Sequence, residues 1–143
     1  MSVDYFLQKG AQTPAPVHVF SETVKVNFAE YLANVGAAVP TTSVVKLFNV
    51  AAETTVIGII TKVLTAEGGA LTGDIGDGTT TNGYDNDVDL NAATTAVCPH
   101  TTDGTDASAY KYYSAADTID LVLTGAADAA IVEFTMLAFR TKI

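Results

Sequence analysis

Two histidines and one cysteine are the residues of this sequence that would serve nucleophilic catalysis. A Ser-His-Asp hydrolase needs a base beside an activated nucleophile, and the chain offers only His18 and His100 as bases, with no Gly-x-Ser-x-Gly turn. His18 falls in an alternating stretch, where a structural role is favoured. Cys98 and His100 are almost adjacent, whereas a Cys-His dyad is normally assembled from residues far apart in sequence. We therefore predict that the chain is not an enzyme.

An alternating run of carboxylates offers the chemistry of a cation site. Asp85, Asp87 and Asp89 place oxygen ligands at every second position, the spacing that calcium loops use. Leu90 stands where an EF-hand loop has glycine, and Ala96 where it has the bidentate glutamate. A solvated acidic loop is therefore the favoured interpretation, with calcium binding by these aspartates as the alternative. We assign no cofactor.

Three glycines, at positions 73, 76 and 78, follow the pattern G-x-x-G-x-G. The pattern lacks the Gly-Lys-Ser/Thr ending of a phosphate-binding loop and does not lead into a helix. Together with the Asp, Asn and Thr residues of the segment 68–83, these glycines indicate turns rather than a nucleotide site. A second loop of similar composition covers residues 99–108.

A tyrosine cluster has the chemistry to stack on a sugar, because the ring is apolar and its hydroxyl polar. In a strand, Tyr110 and Tyr112 share one face and Tyr113 lies on the other, so a single flat platform is not indicated. Cross-strand and core packing account for part of the cluster.

The N-terminal segment is a better candidate for binding a partner. Pro14 and Pro16 disfavour strand pairing, so we predict an extended arm over residues 1–16, followed by a single domain over residues 17–143. Apolar side chains in this arm need a surface to cover them, either on the same chain or on a neighbour. The candidate contact residues are Tyr5, Phe6 and Leu7.

The elements that would position these residues are mostly strands. Val24 and Val26 alternate with Lys25, as on a strand with one apolar face. Similar patterns with Val, Ile or Thr recur at 43–50, 54–64, 119–124 and 130–142, and residues 110–113 form another short predicted strand. Only residues 28–35 have helical spacing, with Gly36 as a C-cap. The sequence predicts an all-β fold, an antiparallel β-sandwich or jelly roll of about seven or eight strands.

Charge and composition exclude several classes of partner. The chain has 143 residues with 7 basic and 16 acidic side chains, a formal net charge of -9, and eleven of the acids lie between residues 67 and 128. Such a surface repels phosphate, so we predict no nucleic-acid partner. No apolar run approaches the ~20 residues that span a bilayer, and no membrane contact is predicted. One cysteine forms no intrachain disulfide, which fits folding in a reducing cytoplasm.

Three motifs together resemble a known class of protein. The segment 64–84 contains "IGDGT" and ends in "GY", residues 89–93 read "DLNAA", and residues 112–125 read "YYSAADTIDLVLTG". This combination resembles small virion proteins of tailed bacteriophages. The resemblance covers the chain from residue 64 onward and brings no catalytic residues.

The resemblance implies a β-sandwich or jelly-roll head protein, of the kind that acts as a capsid decoration or cement subunit. Such a subunit would be made in the host cytoplasm and would bind the outside of the phage head as a homotrimer, with its N-terminal arm on the major capsid protein or another virion protein. The alternative function is a carbohydrate- or receptor-binding β module of a tail or fibre, with or without calcium.

Overall fold

The chain folds into two facing antiparallel sheets. The structure, a computed structural model, describes residues 17–93, 95–98 and 110–140. One sheet contains β1, β9, β3 and β6 in that order, with β7 also paired to β3, and the other has the order β2, β8, β4, β5. The described strands are β1 (His18–Asn27), β2 (Val44–Val50), β3 (Thr54–Thr65), β4 (Thr72–Asp77), β5 (Asp85–Asp89), β6 (Thr95–Cys98), β7 (Lys111–Tyr113), β8 (Asp117–Leu123) and β9 (Ile131–Arg140).

The strand pairs are nested, which makes the sandwich a jelly roll. β1 pairs with β9, β2 with β8, β3 with both β6 and β7, and β4 with β5. The chain thus folds as one long hairpin whose two sides are wound together into a pair of sheets. The predicted all-β sandwich is confirmed. The described residues form nine strands, where seven or eight were expected, because β6 and β7 occupy successive stretches of the same edge of β3.

The predicted helix is present as α1 (Phe28–Val35). The Asn27 side chain caps it by accepting a 3.1 Å hydrogen bond from the Glu30 amide. At the other end Gly36 has a φ of 76° and its amide donates to the Leu32 carbonyl at 2.7 Å, a left-handed cap that glycine adopts without strain. In the part of the chain that the structure describes, no helix is long and apolar enough to span a membrane.

The core lies between the sheets and is built from inward-facing residues of both. On β8, for example, Ile119, Leu121 and Leu123 are almost completely buried, as period-two alternation requires. On β9 the buried set includes Phe134 and Met136. One apolar layer therefore holds the two sheets together.

Two segments without predicted strands, the glycine-rich turns and the acidic loop, each contain a strand. β4 (Thr72–Asp77) lies inside the glycine-rich segment 68–83, and β5 (Asp85–Asp89) occupies the predicted acidic loop. Glycine is unfavourable in strands in general, but here it makes room for close packing: a Cβ on Gly73 would lie 2.5 Å from Cδ1 of Leu121. The prediction of turns was wrong for β4, because its glycines are accommodated by tertiary packing, and the prediction of a loop was wrong for β5, which pairs with β4.

The sandwich has two distinct ends. At the helix end β1 and β9 meet at Asn27 and Ile131, and at the opposite end, which we call the arm end, they meet at His18 and Arg140. At the helix end the Glu67 carboxylate accepts hydrogen bonds of 2.7 to 3.1 Å from three successive amides, 128 to 130, of the β8–β9 loop. These charge-assisted bonds fasten the β3–β4 loop to the β8–β9 loop.

Candidate functional site

The residues considered for nucleophilic catalysis lie mainly at the periphery. His18 is an exposed first residue of β1, as its alternating sequence indicated. Cys98 ends β6. Pro99 and His100 lie outside the described residues, as do the arm residues Tyr5, Phe6 and Leu7 (all within 1–16) and the loop residues 101–109.

The three candidate calcium ligands lie on β5. The Asp87 carboxylate accepts hydrogen bonds from the Thr72 hydroxyl at 3.2 Å and the Asn86 amide at 3.0 Å. Asp89 accepts from the Asn91 amide at 2.7 Å. Within the described ranges, no three His, Cys, Asp or Glu side chains are grouped so as to hold a metal ion. Calcium binding by Asp85, Asp87 and Asp89 stays the alternative to the predicted solvated acidic loop.

The glycine pattern is explained by packing at the turn between β4 and β5. The backbone of Thr80 and Thr81 lies directly over Gly76, where a Cβ would collide with it. A Cβ on Gly78 would lie 2.9 Å from Oδ1 of Asp117. The approach of backbone thus requires glycine at Gly76, whereas a Cβ at Gly78 would require the Asp117 side chain to move, and no phosphate is needed to account for either glycine.

The tyrosine cluster divides as the alternation predicted. Tyr110 and Tyr112 are exposed, and the Tyr112 hydroxyl donates to Glu53 at 2.8 Å. Tyr113 is buried between the sheets. Only two of the three rings are therefore accessible to a ligand.

Tyr113 belongs to a buried polar network at the arm end. The Tyr113 hydroxyl donates to the Asp77 carboxylate at 2.9 Å and lies 2.6 Å from the Tyr84 hydroxyl. The Lys111 ammonium pairs with the same carboxylate at 2.7 Å. Asp77 is only 3% exposed and also accepts from the amides of Thr79 and Thr80 at 2.9 and 3.0 Å. The network joins β4 of one sheet to β7 of the other.

The surroundings of Asp77 stabilise its charged form. Burial by itself raises the pKa of this carboxyl, but the ion pair with Lys111 and the hydrogen bonds from two amides and Tyr113 outweigh it, so the pKa lies below its usual value. Burial and the neighbouring Tyr84 and Asp77 raise the pKa of Tyr113 well above its ordinary value. Asp77 is therefore an anion and Tyr113 a neutral donor near neutral pH. We interpret the network as structural, since each of its members forms a hydrogen bond or an ion pair with another member.

A groove at the helix end is the feature best suited to binding another molecule. β1 and β2 are the edge strands of their sheets and lie on the same side of the sandwich. Between them opens a groove of about 570 Å³, which we call the β1–β2 groove. It is lined by Val24, Lys25, Val26, Asn27, Phe28, Tyr31, Val39, Pro40, Ser43, Val44, Val45 and Lys46.

The groove leaves apolar surface uncovered. Val44 is 58% exposed and Tyr31 43% exposed at its rim. Four apolar side chains pack on the core but stay only partly buried, and all of them belong to the two edge strands: Phe20, Val24, Val26 and Val45. The open side of the sandwich is thus incompletely sealed, and a strand edge of this length is a common site for pairing or docking.

The charge of the groove differs from that of the chain. Its described lining contains Lys25 and Lys46 and no carboxylate, although the protein carries a net charge of -9. A partner segment that combines apolar side chains with an acid would therefore complement it.

Comparison with solved structures extends these observations to the whole fold. A chain in the acidic stable capsid structure of Helicobacter pylori bacteriophage KHP30 superposes with a TM-score of 0.60 at 11% identity, over 89% of this chain and 94% of that one. A chain of the cyanophage Pam1 capsid asymmetric unit gives 0.58 at 13% identity, over 92% and 94%. A chain in the capsid of Ralstonia phage GP4 gives 0.60 at 10% identity, over 86% and 84%.

The fold resembles that of chains in phage capsids. This confirms, at the level of the fold, the resemblance to phage virion proteins that the sequence motifs indicated. No protein-family model and no curated protein matches the chain.

Sequence reasoning missed both the groove and the Asp77 network. The sequence identifies Lys25 only as the polar position of an alternating strand, and nothing in it places β1 beside β2. The pair Tyr112 and Tyr113 does predict one exposed and one buried ring. The contacts of Tyr113 with Asp77 and Tyr84, however, join residues far apart in sequence and are made only in the folded chain.

Proposed function

We propose that the chain is a structural protein of a phage virion, and that it acts as a decoration or cement subunit on the outside of the head. The observation that carries the proposal is the match of nearly the whole fold to chains in three phage capsids. A jelly roll with an open apolar edge supports it, because subunits of a shell work through surfaces rather than through catalytic groups. Its partners would be the major capsid protein or another virion protein.

The charge distribution supports an outward position. Acidic side chains concentrate between residues 67 and 128, where a surface facing solvent keeps them away from packaged DNA. The contacts to neighbours would then be made by the less acidic parts of the chain, which include the β1–β2 groove and the N-terminal arm.

The arm residues Tyr5, Phe6 and Leu7 are the proposed contacts. Burial of each such side chain stabilises a complex by about 1.5–3 kcal/mol before entropic costs. In a trimer, three arms act together, so individually weak contacts give firm attachment.

Removal of the arm tests the proposal. We expect a variant that lacks residues 1–11 to retain the β circular-dichroism spectrum of the full chain and to lose attachment to capsids assembled without this protein. Co-sedimentation of capsids with each purified variant measures the bound fraction.

Point variants make the test more specific. The triple variant Tyr5→Ser, Phe6→Ser, Leu7→Ser should behave like the deletion, whereas Gln8→Ala, in the same arm, should bind as the full chain does. If the deleted or triple variant co-sediments fully, the arm does not attach the protein. If the full chain itself stays unbound, the proposed cement function is wrong.

A further inference from the structure

The β1–β2 groove needs an occupant, and the chain itself contains a segment of matching chemistry. The groove combines half-covered apolar side chains with the ammonium groups of Lys25 and Lys46. Residues 4–7 read Asp-Tyr-Phe-Leu, a carboxylate followed by three large apolar side chains. Insertion of residues 5–7 would cover the apolar floor, and Asp4 would bring the negative charge that the groove lining lacks.

The arm and the β1–β2 groove of the same subunit lie at opposite ends of the sandwich. The described chain begins at Val17, next to His18 at the arm end, whereas the groove lies at the helix end around Val26. Nine strand residues separate these points, a distance of about 30 Å at about 3.3 Å per residue. A self-contact would therefore require the arm to reverse at once and to run back along β1.

The residues before β1 disfavour such a reversal. Pro16 restricts Ala15 to extended conformations, and a turn with Pro14 at its second position needs Ala15 either helical or at positive φ. Pro16 suits the second position of a turn, but Val17, which would be the third position, forms neither a turn nor a bend in the structure. Gly10 is the nearest glycine on the N-terminal side of the prolines. If the chain reversed at Gly10, residues 5–7 would lie at most five residues beyond the turn, about 17 Å, whereas an extended segment 11–17 spans about 23 Å, so they would not return past Val17.

We infer that the β1–β2 groove receives residues 5–7 of a second copy of this chain. Residues 5–7 precede Val17 by ten to twelve positions, enough to reach about 33–43 Å at 3.3–3.6 Å per residue. This is the scale of one neighbouring subunit. The inference rests on the proposed function for the role of the arm in attachment. It assigns residues 5–7 to a neighbouring copy in place of the capsid, so that the arm supports attachment by holding the copies together.

An exchange of this kind also explains how a ring would close. Each copy gives an arm from one surface and accepts an arm at another, so the contact is heterologous and closes only by rotation. A closed ring of three has a mass of three times 14.8 kDa. Loss of the arm would dissolve the ring and its combined attachment to a capsid, as the co-sedimentation test expects.

Cysteine pairing between differently labelled copies tests the inference without capsids. In a Cys98→Ser background, one protein carries Phe6→Cys and a second, isotope-labelled protein carries Val44→Cys at the groove rim. The two are mixed, allowed to exchange and oxidised, and mass spectrometry counts the mixed disulfide dimers. The control partner carries Val19→Cys, which is 76% exposed but lies at the arm end.

We expect the mixed dimer with Val44→Cys to exceed that with Val19→Cys by at least about tenfold, because the groove raises the effective concentration of the arm. Equal yields overturn the inference. The inference is also overturned if a chain that carries both Phe6→Cys and Val44→Cys forms an intramolecular disulfide at low protein concentration. If pairing fails while arm deletion still abolishes capsid attachment, the arm binds another virion protein and the proposed function survives.

Discussion

Replacement of Asp77 by alanine is expected to lower the free energy of unfolding by about 3–5 kcal/mol, because it removes the buried carboxylate that pairs with Lys111 and accepts several hydrogen bonds. The Tyr113 hydroxyl and two loop amides lose their acceptor in the same change. The Asp77 network joins the two sheets at the arm end, so this loss acts on the sandwich as a whole. Urea unfolding at one fixed protein concentration measures the difference.

An exposed aspartate provides the matched control. Asp128→Ala removes a carboxylate that lies at the surface of the β8–β9 loop, and we expect a change within about 0.5 kcal/mol. If Asp77→Ala proves no more destabilising than Asp128→Ala, the network does not hold the sheets together.

The same network predicts how stability responds to acid. The pKa of Asp77 is lower in the folded chain than its unfolded value of 3.8, so its contribution is present above about pH 4 and is lost as the pH falls through the folded pKa. The Asp77→Asn variant lacks this titration and should lose less stability than the parent over that range. Parallel acid losses in the two proteins would show that Asp77 is not responsible.

The second large effect is expected at Gly76. Its replacement by alanine places a methyl group against the backbone of Thr80 and Thr81, which cannot move aside as a flexible side chain would. We expect a destabilisation of about 3 kcal/mol or more, since the β4–β5 turn must be displaced. Thermal and urea unfolding of the purified variant measure it.

Gly69 is the matching control. A Cβ there meets no atom within 4 Å, and its φ is not positive, so Gly69→Ala should be neutral or should stabilise by about 0.4–1 kcal/mol. Similar effects at Gly69 and Gly76 would show that the turn does not pack as described. The pair also distinguishes a packing role for the glycines from a role in binding phosphate, because the expected defect of Gly76→Ala needs no ligand.

The local elements were predictable where local rules decide them. The helix over 28–35 follows from its apolar spacing and Gly36, and the structure adds the Asn27 cap. The strands with Val, Ile and Thr alternation were found near their observed bounds. In each case side-chain periodicity and turn chemistry agree with the final fold, so sequence reasoning sufficed.

The remaining features depend on contacts between distant residues. The sequence of β4 looks like a turn, and only the approach of Leu121 to Gly73 and of the following loop to Gly76 explains its glycines. The β1–β2 groove exists because two edge strands of different sheets end up side by side. Nothing in the local sequence of either strand specifies that β1 lies beside β2. The sequence therefore predicts that the apolar arm residues need a surface to cover them, but it does not identify the surface that we propose for this role.

The most direct test of the central claim, that this jelly roll is a structural subunit of a phage virion, is to quantify the chain in purified particles. Virions from the host that produces it are banded on a density gradient, and mass spectrometry measures its ratio to the major capsid protein in each fraction. A structural subunit should band with the particles at a fixed ratio that persists through repeated banding. A chain that remains at the top of the gradient, or whose ratio falls with each round, would contradict the claim.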